Sequence, residues 1–292
     1  MLLNASGCLD ALTAPEVASQ LDAYVTKTVT PEPREGNRPV RIAETDCGML
    51  NSIGLANPGL ERFLADTLPR LASLGLPLWV SVGGFSERDF AGSCARLDER
   101  AEVEAIELNL SCPNVDASTG TVSELVAAAR AATGKPLYAK LSPAVPDVAE
   151  LARAAQAAGA DGLSLVNTIR GLALDDRLRP VLAHASGGMS GPALRPVALA
   201  AVYCAYAATG LPIVGMGGVS TGRHALELVA AGASSVALGT VLFSDPDAPV
   251  RIRAELAAEL EALGLPSLEA ARGVAHGGGT PAQPLPMGVS GA

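Results

Sequence analysis

The chain of 292 residues has only three lysines, Lys27, Lys135 and Lys140, in a sequence that otherwise uses arginine for positive charge. Lysines kept in such a background mark places where a compact point charge is needed and a planar guanidinium would not serve. Two of them, Lys27 and Lys140, lie inside strand-like runs, Tyr24-Val25-Thr26-Lys27-Thr28 and Leu137-Tyr138-Ala139-Lys140-Leu141. An excess of positive charge is also missing. The formal net charge is −9, which excludes a basic face for nucleic acid or an anionic membrane but leaves room for a small anion in a local pocket. No uncharged apolar run reaches the ~18 residues of a membrane span, and no secretory leader opens the chain. The Ala-rich segment 196–211 reads as a buried helix. The five cysteines are odd in number, contain no C-x-x-C, and show no zinc-ligand spacing with the three histidines. The chain itself thus offers no iron–sulfur or zinc site, and reduced thiols in the cytoplasm are expected. Of the histidines, His224 is expected on a helix surface and His276 in a tail, while His184 has no assigned role.

What is present is a large apolar core. Hydrophobic residues make up 49% and charged residues 17%, a composition that argues against disorder. Short apolar runs at 2–5, 24–28, 78–83, 105–110, 137–141, 162–167, 212–217 and 235–240 alternate with helical patterns such as 122–132, 148–158, 195–208 and 222–231. Ala158-Gly159-Ala160 and Ala231-Gly232-Ala233 each close a helix just before a strand. Alternation of this kind eight times over predicts an α/β fold, a (β/α)8 TIM barrel forming a single domain over 1–265. A long structured loop is expected at 29–58 and a disordered Gly/Pro/Ala-rich tail at 266–292.

Chemistry concentrates at the predicted strand ends. Ala105-Ile106-Glu107-Leu108-Asn109-Leu110 runs directly into Ser111-Cys112-Pro113-Asn114. Polar groups at the C-terminal end of a barrel strand are where such barrels react, and a thiol there can act as nucleophile or base. The seventh and eighth strands end in Gly215-Met216-Gly217-Gly218 and Gly239-Thr240. Glycines at those two ends expose backbone N–H groups to a phosphate, and Ser186-Gly187-Gly188-Met189-Ser190-Gly191 can add a third contact. Asparagine is scarce, seven in all, yet Asn51, Asn109, Asn114 and Asn167 fall at candidate sites. Converging amides suit a ring with alternating C=O and N–H groups, such as a pyrimidine.

With these residues in view, the chain resembles the class 1 dihydroorotate dehydrogenases from Ala5-Ser6-Gly7 to about Pro246. The resemblance is carried by the run from Thr26-Lys27-Thr28 to Glu35-Gly36-Asn37 and by Asn51-Ser52-Ile53-Gly54-Leu55. It is carried equally by Asn109-Leu110-Ser111-Cys112-Pro113-Asn114 and Gly187-Gly188-Met189-Ser190-Gly191-Pro192. Arg41-Ile42-Ala43-Glu44-Thr45 followed by Gly48-Met49-Leu50-Asn51 is similar to subclass 1B. That resemblance implies FMN as cofactor and oxidation of (S)-dihydroorotate to orotate in pyrimidine biosynthesis. It implies a partner electron-transfer subunit with FAD and a [2Fe–2S] cluster that passes electrons to NAD, in a homodimer or heterotetramer.

By the same resemblance Cys112 is the base at C5 of dihydroorotate, with the C6 hydride passing to FMN N5, and Lys140 sits beside the flavin N1–C2 region. Lys27, Asn51, Asn109, Asn114 and Asn167, the segment Ile53-Gly54-Leu55, and Thr168 hold the substrate. Ala5, Ser6, Lys27, Asn109, Lys140, Gly191, Gly217, Gly218, Gly239 and Thr240 hold the cofactor. Two departures stand out. Ser81 occupies a place where the family often has Asn, and the loop after Asn114 is shorter than the usual lid. The alternative readings are the same enzyme with fumarate or another acceptor and no partner, a related FMN pyrimidine reductase, and a non-catalytic FMN-binding barrel.

Overall fold

The computed structural model describes residues 1–110 and 121–277. Its centre is a parallel sheet of eight strands wound into a barrel: β1 (Leu2–Asn4), β2 (Tyr24–Val25), β5 (Leu78–Val82), β6 (Val103–Asn109), β7 (Leu137–Leu141), β8 (Gly162–Leu165), β11 (Ile213–Met216) and β12 (Ser235–Leu238). The hydrogen-bonded order is β1-β12-β11-β8-β7-β6-β5-β2. Helices Glu87–Asp98, Val122–Ala131, Val148–Ala157, Arg195–Thr209, Gly222–Ala230 and Ala248–Ala262 are among those that cover the outside. The expected (β/α)8 barrel is therefore the fold.

Period-2 alternation sorts each strand between two cores. On β6, Ile106 and Leu108 join the aliphatic layer under the helices, while Ala105 faces the barrel axis with Leu3, Ala23, Val25, Trp79, Val214, Met216 and Ala237. Trp79 and Tyr138 fill the axis with ring centroids 4.4 Å apart, and the neighbouring small residues leave them room. Helix starts are set locally. Thr121 and Glu124 form a reciprocal capping box, and the Asp147 side chain accepts from the N–H groups of Ala149 and Glu150.

The barrel closes at a seam rather than a ladder. Between β1 and β2 the only paired residues are Leu3 and Ala23. The fully buried Asn4 side chain bridges the gap: its Nδ2 donates to Val25 O (2.8 Å) and Ala5 O (3.2 Å), and its Oδ1 accepts from Val25 N (2.9 Å).

Four local expectations need correcting. The second strand was expected over 24–28 but ladders only over Tyr24–Val25. The chain bulges at 26–28, Thr26 Oγ1 accepts from Ser81 N (3.1 Å), and pairing resumes where Val29 meets Val82. Next, the expected loop at 29–58 contains a hairpin, β3 (Ile42–Thr45) and β4 (Gly48–Asn51). Third, the glycine run 186–191, for which no strand was expected, contains one: Ser186–Ser190 form β10, which pairs antiparallel with β4 and with β9 (Ile169–Leu172). These four strands make a second sheet, β3-β4-β10-β9. Lastly, the chain beyond 266 is not tail throughout. Ser267 caps the short helix Leu268–Ala271, Ala271 is fully buried, and His276 stacks on Tyr203 at 3.9 Å. Apolar burial and ring stacking hold this stretch down. Residues 278–292 of the expected tail lie outside the described residues.

Candidate active site

At the C-terminal ends of the barrel strands, under the second sheet, lies a cavity of about 440 Å³. Its wall includes Ala5, Ser6, Lys27, Asn51, Ile53, Gly54, Leu55, Asn109, Lys140, Asn167 and Thr168, with Gly191, Gly217, Gly218, Gly239 and Thr240. The sequence placed all of these at a candidate site, and the fold gathers them from ten different segments. Cys112 and Asn114, the remaining two, lie outside the described residues. Asn109 does line the cavity, and Cys112 follows it by three positions in the chain.

The bulge in the second strand has a purpose visible here. It turns Lys27 into the cavity beside Gly7, whose φ of 79° lies in the left-handed region that favours glycine. A Cβ on Gly7 would stand 3.4 Å from Lys27 Nζ. Burial pushes the Lys27 ammonium below the ordinary lysine range; the Cys8 thiol opposes that shift and the Lys140 charge adds to it. Cys8, half-buried on the same wall, is pushed up by burial, with Lys140 and Lys27 pulling the other way.

One side of the cavity is a relay of neutral polar groups. Ser81 Oγ and Thr28 Oγ1 are 3.0 Å apart; Asn109 Nδ2 donates to Thr28 Oγ1 at 3.1 Å; Asn167 Nδ2 donates to Asn109 Oδ1 at 3.0 Å; and Asn167 Oδ1 accepts from Thr168 N at 2.8 Å. Ser81 therefore braces this wall through Thr28 even though it is shorter than an asparagine. Asn51 is fixed separately, its Nδ2 donating to Gly188 O across the β4–β10 pair (3.2 Å). Each amide is held by backbone or a neighbour, which leaves the wall pre-organised for a planar ligand.

The other end is a backbone cradle. Gly218 has φ of 71°, and a Cβ there would meet Gly191 O at 2.8 Å. A Cβ on Gly217 would lie 2.7 Å from the Ala198 methyl. Only glycine permits this approach of three backbone segments. Thr240 Oγ1 donates to Ser190 Oγ at 2.9 Å and ties the end of β12 to the second sheet. Main-chain N–H groups presented this way suit a phosphate. A cavity lined by a glycine cradle together with lysines and fixed amides suits a phosphate-bearing ligand and a small planar anion.

Sequence reasoning passed over Cys8, Thr28, Phe243 and, behind the wall, Glu107. The position of Glu107, two residues before Asn109 and so on the same strand face, was the readable signal. No helix among the described residues is long and apolar enough to cross a membrane.

Comparison with known proteins was made against this geometry. The model of the dihydroorotate dehydrogenase family matches residues 1–260. The catalytic subunit of dihydroorotate dehydrogenase B (NAD(+)) from Listeria monocytogenes is 46% identical over 259 residues, 86% of this chain and 85% of that one. The Desulforudis audaxviator catalytic subunit of the same name is 45% identical over 264 residues, covering 88% and 86%. Among solved structures, dihydroorotate dehydrogenase of Eimeria tenella in complex with ferulenol superposes with a TM-score of 0.79, over 95% of this chain and 85% of that one. At 24% identity this last likeness speaks for the fold alone.

Proposed function

The chain belongs to the dihydroorotate dehydrogenase family, and from that premise we propose how its own residues carry the reaction. It is an oxidoreductase that converts dihydroorotate to orotate in pyrimidine biosynthesis, working as a catalytic subunit whose electrons reach NAD through a separate partner subunit. The observation that carries the residue roles is the single cavity in which both strand lysines, the fixed amides and the glycine cradle converge.

Lys27 binds the substrate carboxylate, the one cation the ligand's charge requires in an acidic protein. The amides of Asn51, Asn109 and Asn167 read the ring C=O and N–H groups, with Asn114 from the segment outside the described residues. Cys112 takes the C5 proton on Sγ. A carbon acid of this kind needs a base matched to it and screened from water. Bound FMN supplies the hydride acceptor for C6. Gly191, Gly217, Gly218, Gly239 and Thr240 hold its phosphate, while Ala5, Ser6 and Lys140 border its ring. The partner subunit carries FAD and a [2Fe–2S] cluster, and the assembly is a homodimer of catalytic subunits or a heterotetramer with the partner.

Anaerobic addition of dihydroorotate to the purified chain tests this reading. Bleaching of a bound-flavin band supports it; a flavin band that stays oxidised, or no flavin after reconstitution, sinks it.

Lys27 gives a pH-dependent prediction. A cation is present below its pKa and lost above it. Because burial lowers the Lys27 value, KM for dihydroorotate should climb on the alkaline side well before the ~10.4 of an ordinary lysine. Lys27→Met should raise KM about 10- to 100-fold, the value of one charge-assisted contact, and abolish that alkaline rise. An unchanged KM profile would remove Lys27 from the substrate site.

A further inference from the structure

Glu107 is a carboxylate at the core of the barrel, only 1% exposed. Among the described residues nothing donates a hydrogen bond to its Oε1. A buried charge survives when it is paired, and the pairing group is Lys140, whose Nζ lies 3.5 Å from that oxygen. The two residues sit on adjacent strands, where Glu107 on β6 pairs with Tyr138 and Asn109 with Lys140 on β7. Both side chains are nearly inaccessible, with 6% and 2% side-chain exposure for Lys140 and Glu107. Lys140 Nζ also donates to Ser6 Oγ at 2.8 Å, and Ser6 and Lys140 both line the cavity while Glu107 does not. The ammonium is thus strung between a wall hydroxyl in front and a carboxylate behind.

We infer that Glu107 is the positioning residue for Lys140: the ion pair anchors Nζ at the flavin side of the cavity and sets how much positive charge reaches the cofactor. This rests on the reading of the cavity as an FMN site. The charged and titratable groups around Nζ, among the described residues, are Glu107 from β6, Cys8 from the segment after β1 and Lys27 from the bulge after β2. Glu107 is the one carboxylate among them, set against the two lysines. Its carboxylate acts against the full Lys140 charge at close range in a dry interior, where screening is weak. Removing that anion strengthens the positive field on anything bound at the wall.

The test is the affinity of the bound flavin for sulfite, which adds to the oxidised ring and leaves it negatively charged. It is read by loss of the flavin absorbance without any turnover, alongside the flavin midpoint potential. Glu107→Gln keeps the shape, removes the charge, and should tighten sulfite binding about tenfold or more, with the potential moving positive. Lys140→Met should weaken sulfite binding by at least as much. In the double substitution Glu107→Gln should move sulfite binding less than it does in the parent, because the ammonium it positions is gone. Glu107→Asp keeps the charge one methylene further back and should give an intermediate change in the same direction as Glu107→Gln; it carries the test if Glu107→Gln does not fold. Flavin-loaded variants with the parent's sulfite affinity and potential overturn the inference alone. A parent chain that takes up no flavin overturns the FMN reading and this inference with it.

Discussion

Cys112→Ser should lower the rate at which dihydroorotate bleaches the bound flavin by about 100- to 10 000-fold near neutral pH, the range that a lost general base spans. The hydroxyl is a far weaker acid than the thiol, so its basic form is almost absent at pH 7. Flavin content and the oxidised flavin spectrum should stay as in the parent, because the cradle at Gly191, Gly217, Gly218 and Gly239 is untouched. The residual rate of the variant should keep rising with pH after the parent has levelled. Stopped-flow reduction under anaerobic conditions reads all three. A variant reduced as fast as the parent would show that another group takes the C5 proton. The non-catalytic barrel is separated by the same experiment, since that reading expects no bleaching from the parent either.

Asn4→Ala should be among the most destabilising single changes in the barrel, although the residue never touches a ligand. The side chain replaces a missing ladder at the β1–β2 seam, and its loss leaves both the N–H and the C=O of Val25 buried without partners. Each such group costs about 1–3 kcal/mol, so the pair costs about 2–6 kcal/mol out of the ~5–15 kcal/mol that holds a typical protein. A fall in melting temperature of about 10 °C follows for a domain of this size. Asn4→Asp keeps the acceptor for Val25 N but turns a carboxylate oxygen onto the carbonyls of Val25 and Ala5 in a buried, unpaired site, and should lose at least as much. Thermal unfolding within a degree or two of the parent would mean that the Leu3–Ala23 pair closes the barrel unaided.

The eight barrel strands were legible because each is a short apolar run bounded by helices of clear period, and apart from the second, which ends three residues early, their ends agree with the sequence to within a residue or two. The second sheet was not. Ile42–Thr45 alternates exposed and half-buried positions and includes Glu44, while the partner of Leu50 is Met189. A strand whose pairing lies so far along the chain leaves no local trace. The glycines of 186–191 gave no strand signal for the same reason: their extended pairing is imposed by β4 and β9. The candidate site fared better, since its residues cluster at strand ends that the barrel necessarily brings to one face. Glu107 escaped notice because a lone acid in an apolar run looks like an outward-facing exception. Only the packed barrel shows that it faces inward against Lys140.

The cavity straddles the seam. Its wall draws on Ala5 to Cys8 at one extremity of the fold and on Gly239 to Ser244 near the other. During synthesis the cavity is therefore complete only once the last barrel strand, Ser235–Leu238, has been made and has paired with Leu2–Asn4. A ligand gripping both flanks also acts as a clasp, and the holo form resists proteolysis and heat by RT ln(1 + [L]/Kd), about 2.7 kcal/mol at a hundredfold excess over Kd.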